Sequence, residues 1–215
     1  MTAVPRLLAH VYLFAAVACV PRVLLAQGIP DGHRGVCSNC HVGAGNNRYE
    51  LDSASSTLVF SVDNFGFSKI IGTFSQVDGG FVFDSDDVEG TSVLASVDVA
   101  SLDTSDAALD ALLLSERFLD AASHPAITFQ SESVTSVDEH HFRVAGALSI
   151  RGITRPIALD VTLNRLEAHP VTGRQTAGLE ITGQFARSEF GLTLGLPNIG
   201  DVVEFTVYAQ GGLLD

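Results

Sequence analysis

The sequence predicts an all-β protein, an eight-stranded antiparallel barrel with one or two short helices, preceded by a short irregular or helical segment of different character. Three observations predict it. From Tyr49 onward, apolar residues recur at every second position in about eight runs. Turn signals such as Asp78-Gly79-Gly80, Arg151-Gly152 and Thr172-Gly173 separate these runs. One apolar face on each strand argues for antiparallel pairing, and closing the sheet removes its adhesive edges.

The chain divides into residues 1–26, 27–48 and 49–215. The first segment reads as an export signal. Arg6 supplies the positive start, and Leu7–Val20 is an apolar run broken only by His10. Pro21 and Arg22 end it, and Ala26 offers a small residue for cleavage before Gln27. The run suits a signal core and is shorter than the roughly 20 residues needed to span a bilayer. A periplasmic or secreted location follows. The weaker alternative is a lipoprotein anchor at Cys19, where Ala16 stands in place of the preferred leucine.

Residues 27–48 contain "GVCSNCHVGAG". Cys37 and Cys40 present two thiols spaced for the two vinyl groups of a haem, and His41 places an imidazole beside them for the iron. A c-type haem is the expected cofactor. Once the signal is removed, these are the only two cysteines left, and Met1 is the only methionine, so a His/Met haem is excluded within the chain. His33 is a candidate second axial ligand, equally readable as a solvated loop residue. The string around it resembles the minimal haem modules of the magnetochrome type. Three other readings stay open: a disulfide between Cys37 and Cys40; a zinc site with His33, which the adjacency of Cys40 and His41 would strain; or a chance occurrence of so short a motif. So short a segment has no core of its own, so a haem there needs a neighbouring surface to pack on.

The strands follow in order. "TLVFSV" turns Leu58, Phe60 and Val62 to one face, "FVF" gives Phe81 and Phe83, and "VLASVDV" gives Val93, Ala95, Val97 and Val99. Ile127 and Phe129 come next, then Phe142, Val144, Leu148 and Ile150, then Ile157, Leu159, Val161 and Leu163. Leu179 and Ile181, and finally Val203, Phe205 and Val207, complete the set. One stretch, Leu102–Asp120, breaks the alternation. Thr104 or Ser105 is its candidate N-cap, and Ala108, Leu109, Leu112 and Leu113 fall at helical spacing. This predicts a helix of two or three turns across the barrel wall or mouth, with the leucines as ordinary core.

Net charge is −13, with Lys69 the sole lysine. So acidic a chain lacks the basic footprint of nucleic-acid binding. No G-x-S-x-G, paired metal-spaced histidines or isolated carboxylate pair appears, so no catalytic residues are assigned and a binding protein is expected rather than an enzyme. An eight-stranded barrel is just wide enough to fill with side chains or to hold one slender ligand, and periodicity alone does not choose between them.

Residues 49 to about 208 resemble the YceI-like family. The blocks that carry the resemblance are "YELDSASSTLVFSV", "IGTF", "SLDTSD", "LLLSERFLDAASHPAITFQS", "VAGALSIRGITRPIALDV", "ARSEFGL" and "IGDVVEFTV", in order. Leu112 departs from the pattern, since members often carry histidine before the "LxS" of the helix. The resemblance implies an exported, lipocalin-like barrel that holds an isoprenoid chain in an apolar tunnel. Phe60, Phe74, Phe83, Val97, Phe129, Leu148, Leu159 and Phe205 are the expected wall, each equally explicable as core. Arg187 and Glu189 are expected to form a polar pair that closes the barrel.

Together the two halves predict an exported protein that binds an isoprenoid lipid, an isoprenoid quinone among the candidates, with a covalent haem for electron transfer. A membrane or periplasmic redox partner is expected, without membrane-spanning segments in the mature chain. The alternative is a plain lipid carrier whose C-x-x-C forms a disulfide.

Overall fold

The computed structural model describes residues 47–214, so the expectations for residues 1–26 and for His33, Cys37, Cys40 and His41 lie outside the described residues. Within it run β1 (Arg48–Leu51), β2 (Thr57–Asn64), β3 (Ser68–Phe74), β4 (Val77–Val82), β5 (Ser92–Asp98), β6 (Leu102–Asp103) and α1 (Ala107–Leu114). They are followed by β7 (Ala126–Ser136), β8 (His141–Ile150), β9 (Ile153–Ala168), β10 (Gln175–Ala186) and β11 (Ile199–Leu213).

These strands form eight staves rather than eleven. β11 pairs along one edge with β10 and along the other with both β2 and β1. β3 and β4 likewise continue one another beside β2 and β1, and β6 and β5 beside β3 and β4. β7, β8, β9 and β10 then follow in chain order, every pairing antiparallel, until β10 meets β11 and the ring closes. The expected eight-stranded antiparallel barrel is the observed one.

The three broken staves keep their backbone groups paired through the breaks, as buried backbone demands. Asp52 accepts from Ala54 N at 3.1 Å and from Ser55 Oγ at 2.8 Å, closing a 3₁₀ turn over Ser53–Ser55. Across that turn Asp52 N donates to Gln210 O at 2.7 Å, and Gln210 N donates to Ser56 Oγ. Between β5 and β6, Asp98 caps a second 3₁₀ turn over Val99–Ser101, and Gln76 N donates to Ser101 Oγ at the break between β3 and β4. Alternation in the sequence therefore stops at Val99, which is buried in a turn and not in a strand.

Two local expectations change. Asp78-Gly79-Gly80 is not a turn but the middle of β4, where Gly79 adopts φ 139° and a Cβ would run into the backbone of Leu94 and Ala95. The helix starts later than expected: Asp106, not Thr104 or Ser105, is the N-cap and accepts from Ala108 N and Leu109 N. Thr104 is instead tied by its main-chain N and its hydroxyl to Asp110. The residues before the cap, Leu102 and Asp103, pair with β3 as β6.

One end of the barrel gathers α1, the β2–β3 and β8–β9 turns, and the segment 187–198 before β11. Here Arg187 is buried, 2 % exposed. Its Nε donates to Gly200 O at 2.7 Å, its Nη1 to Leu192 O and Leu194 O, and its Nη2 to Ile199 O at 2.9 Å. Burial lowers its pKa, and the Asp201 carboxylate, itself bonded to Ser188 N and Oγ, partly offsets that. Glu189, the expected partner, is exposed and makes no ion pair with it. The correction has a simple cause: the 3₁₀ turn Arg187–Phe190 points Arg187 inward and Glu189 outward. Arg187 thus ties the approach to β11 together by donating to four carbonyl groups, that of Leu192 buried and the other three partly buried. Arg187→Met should cost about 3 kcal/mol or more in urea unfolding, because it orphans those carbonyls. Glu189→Ala should change stability by less than about 0.5 kcal/mol in the same measurement.

Candidate functional site: an apolar tunnel

Inward-facing residues of all eight staves enclose a cavity of about 390 Å³. That volume lies within the range of small-molecule sites. The wall is almost wholly hydrocarbon. Near the ring of α1 and its neighbouring loops it consists of Val62, Ile70, Leu109, Leu112, Leu113, Phe118, Leu192 and Leu194. At the opposite end it consists of Leu51, Phe81, Phe83, Val93, Phe142, Leu163 and Leu179.

All eight residues expected to form the wall border this cavity: Phe60, Phe74, Phe83, Val97, Phe129, Leu148, Leu159 and Phe205. Five of them, Phe74, Val97, Phe129, Leu148 and Leu159, are also buried members of the main hydrophobic cluster. Core packing and cavity wall are therefore the same surface, seen from its two sides. The barrel is hollow.

Sequence reasoning missed the contribution of α1. Leu109, Leu112 and Leu113 were expected as plain core, yet no residue of α1 is fully buried and all three border the cavity. Leu194, 38 % exposed, borders it too, so the cavity reaches the surface at this end. The signal was present in Leu112, an apolar residue where a polar one is common in the resembling family. A histidine there would place a polar group at an apolar mouth.

Polar groups at the wall are few. Arg187 borders the cavity, but four of its N–H groups are committed to carbonyl oxygens. Thr91 lies toward the opposite end, and its buried hydroxyl has no partner. At that end Tyr49 stacks on Phe81 with centroids 4.9 Å apart, and burial raises the Tyr49 hydroxyl pKa. Phe83 meets Phe142 edge-on at 5.6 Å.

Among the described residues, no three His, Cys, Asp or Glu side chains come together as a metal site, and no helix is long and apolar enough to cross a membrane. His140 and His141 sit at the β7–β8 turn, where His141 Nδ1 contacts the Asp138 carboxylate at 2.8 Å. Main-chain and side-chain hydrogen bonds from His140 and His141 hold the Asp138 pKa below the ordinary carboxylate value. The ion pair between Lys69 and Glu204 lies on the outer wall and likewise lowers the Glu204 pKa. Neither cluster faces the cavity.

A hollow interior makes a direct prediction. An apolar fluorophore such as N-phenylnaphthylamine should enter the barrel and brighten. Ala95→Trp, which projects an indole from β5 into the cavity, should weaken its binding by about tenfold or more while leaving unfolding cooperative. Equal titrations of the two proteins would show that the dye binds elsewhere.

The comparisons with known proteins agree with this architecture. The YceI-like domain matches residues 49–210. A UPF0312 protein of Serratia proteamaculans is 32% identical over 165 residues, covering 76% of this chain and 85% of that protein. Protein YceI of Salmonella arizonae is 31% identical over 165 residues with the same coverage, 76% and 85%. The crystal structure of Burkholderia cenocepacia BcnA superposes with a TM-score of 0.67 at 21% identity, covering 74% of this chain and 98% of that one. A polyisoprenoid binding domain from Saccharophagus degradans superposes with a TM-score of 0.62 at 15% identity, covering 77% and 98%. At these identities the two structures attest the shared fold, whereas the domain match and the sequence relatives attest descent. Over residues 49–210, this chain belongs to the YceI-like family.

Proposed function

We propose that this protein is an exported carrier that holds the chain of an isoprenoid lipid inside its barrel, and that a c-type haem on Cys37 and Cys40 exchanges electrons with a quinone head group of that lipid. The observation that carries the lipid reading is the hydrocarbon cavity running the length of the barrel, open beside α1. A branched polyprenyl tail needs a long apolar bore and little polar recognition. Burying it gains roughly 0.8 kcal/mol per CH₂, or about 3–4 kcal/mol for each five-carbon unit before association costs are subtracted. The Thr91 hydroxyl, unpartnered at the wall, suits a carbonyl or hydroxyl of the ligand. The family and the likeness to a polyisoprenoid binding domain support the same class of ligand.

The haem half rests on the sequence of the front segment. Cys37 and Cys40 would form the thioethers, His41 would bind the iron, and His33 is the candidate on its other side. Haem supplies one-electron redox chemistry when bound. A periplasmic or membrane redox partner would then complete the circuit. The competing arrangement keeps the lipid carrier and oxidises the two thiols to a disulfide.

Mass spectrometry of full-length protein matured in a haem-competent periplasm tests both halves. Under native conditions it should show a co-purified polyprenyl lipid, and after denaturation a covalently added haem that is lost in Cys37→Ser. A protein free of lipid after gentle isolation, and unable to take up added prenols, would overturn the carrier reading. A mass lowered by two hydrogens, with no haem absorption, would leave the carrier and remove electron transfer.

A further inference from the structure

The wall contains a four-residue row that accounts for the barrel's being open in its middle. Gly72 of β3 pairs with Phe60 of β2, Phe60 pairs with Phe205 of β11, and Phe205 pairs with Gly183 of β10. Side chains on adjacent strands at one level stand only about 5 Å apart, so two neighbouring phenyl rings would ordinarily rise together into the bore. Here they part. The Phe60 ring lies over Gly72, where a Cβ would meet its Cζ at 2.5 Å. The Phe205 ring lies over Gly183, where a Cβ would meet its Cζ at 2.6 Å and Leu159 Cδ2 at 2.8 Å. Each ring turns to a neighbour on its own side, Phe60 to Phe74 at 5.6 Å and Phe205 to Phe185 at 6.1 Å.

The residues two positions before and after the rings, Leu58 and Val62 on β2 and Val203 and Val207 on β11, also border the cavity. The cavity therefore continues past the parted rings in both directions. Glycine within a strand weakens it and marks a close approach of other groups. In this row the approaching group is a ring that is thereby kept out of the lumen.

We propose that Gly72 and Gly183 set the length of prenyl chain the tunnel accepts, by seating Phe60 and Phe205 flat against the wall. This inference rests on the isoprenoid reading above. With a methyl group in either seat, the ring is the nearest group met and must lift toward the lumen, while Thr104 Cγ2, 3.0 Å from a Cβ at Gly72, and Leu159 Cδ2 at Gly183 are side-chain ends that give way with it. A lifted ring divides one long cavity into two short ones. Short prenols then still find a chamber, and long ones do not. Gly146 seats Phe129 in the same manner, but a Cβ there would also strike the main-chain oxygen of Gln130, so its substitution strains the sheet itself.

The test compares the affinities of the full-length protein for geraniol, a two-unit prenol, and geranylgeraniol, a four-unit prenol of a size the undivided cavity can hold. The ratio of geranylgeraniol to geraniol affinity should fall about a hundredfold or more in Gly72→Ala/Gly183→Ala, the loss expected when even one isoprene unit is no longer buried. Adding Phe60→Leu and Phe205→Leu in that background should raise the ratio again, because the lifted rings are removed. Far-ultraviolet circular dichroism and cooperative unfolding report that each variant is folded, and should a double variant unfold, each single glycine variant is read in its place. An unchanged ratio in folded glycine variants, or equal loss of both prenols without recovery, overturns the inference while leaving the carrier reading intact. A wild-type protein that binds neither prenol overturns both.

Discussion

β11 is the strand on which closure depends, because it joins β10, its predecessor in chain order, to the first stave of the chain, β1 and β2. On one side it runs against β10 from Val202 to Gly212, and on the other it spans the break between β2 and β1. A strand paired on both sides leaves no edge for another molecule to extend. Closure also fixes a circumference, and eight staves of this length enclose more space than their inward side chains occupy. The hollow interior follows from that geometry together with the seating of the phenyl rings against the wall.

The two ends are built differently. Around the approach to β11, the Arg187 guanidinium replaces a patch of missing main-chain donors by bonding to four carbonyl oxygens. Its side chain is rigidly spoken for, so it serves the architecture at the margin of the cavity. Beside it α1 is capped by Asp106 and presents leucines that are only half buried. A helix whose apolar face borders an open cavity gains less from packing than one sealed in a core. At the opposite end aromatic contacts, Tyr49 on Phe81 and Phe83 against Phe142, narrow the bore with rings.

The apolar bore and the haem proposed for Cys37 and Cys40 would have complementary chemistry in one chain. A hydrocarbon wall of this kind suits a long apolar chain and offers little to a head group, while the proposed haem would act only on a group that accepts or gives an electron. A quinone with an isoprenoid tail satisfies both demands, which is why it unites the proposal. The net charge of −13 is compatible with such a role.

Much of the barrel was legible from alternation alone, since period-two burial is a local property of each strand. Leu58, Phe60 and Val62, or Val203, Phe205 and Val207, share one face because alternate residues of a strand do, and the polar Ser61, Asp63, Glu204 and Thr206 mark the other face as outward even though Val59 and Val202 lie on it. Local chemistry was less legible where one residue competes with another for the same job. Asp106 took the helix cap from Thr104 because Asp110 had already engaged Thr104, and Asp78-Gly79-Gly80 stayed in a strand because Gly79 meets the backbone of β5. Whether the barrel was full or hollow belonged to the tertiary structure alone. Alternation says which face a phenylalanine takes, not which way its ring leans. That is decided by glycines on strands brought alongside only when the sheet closes.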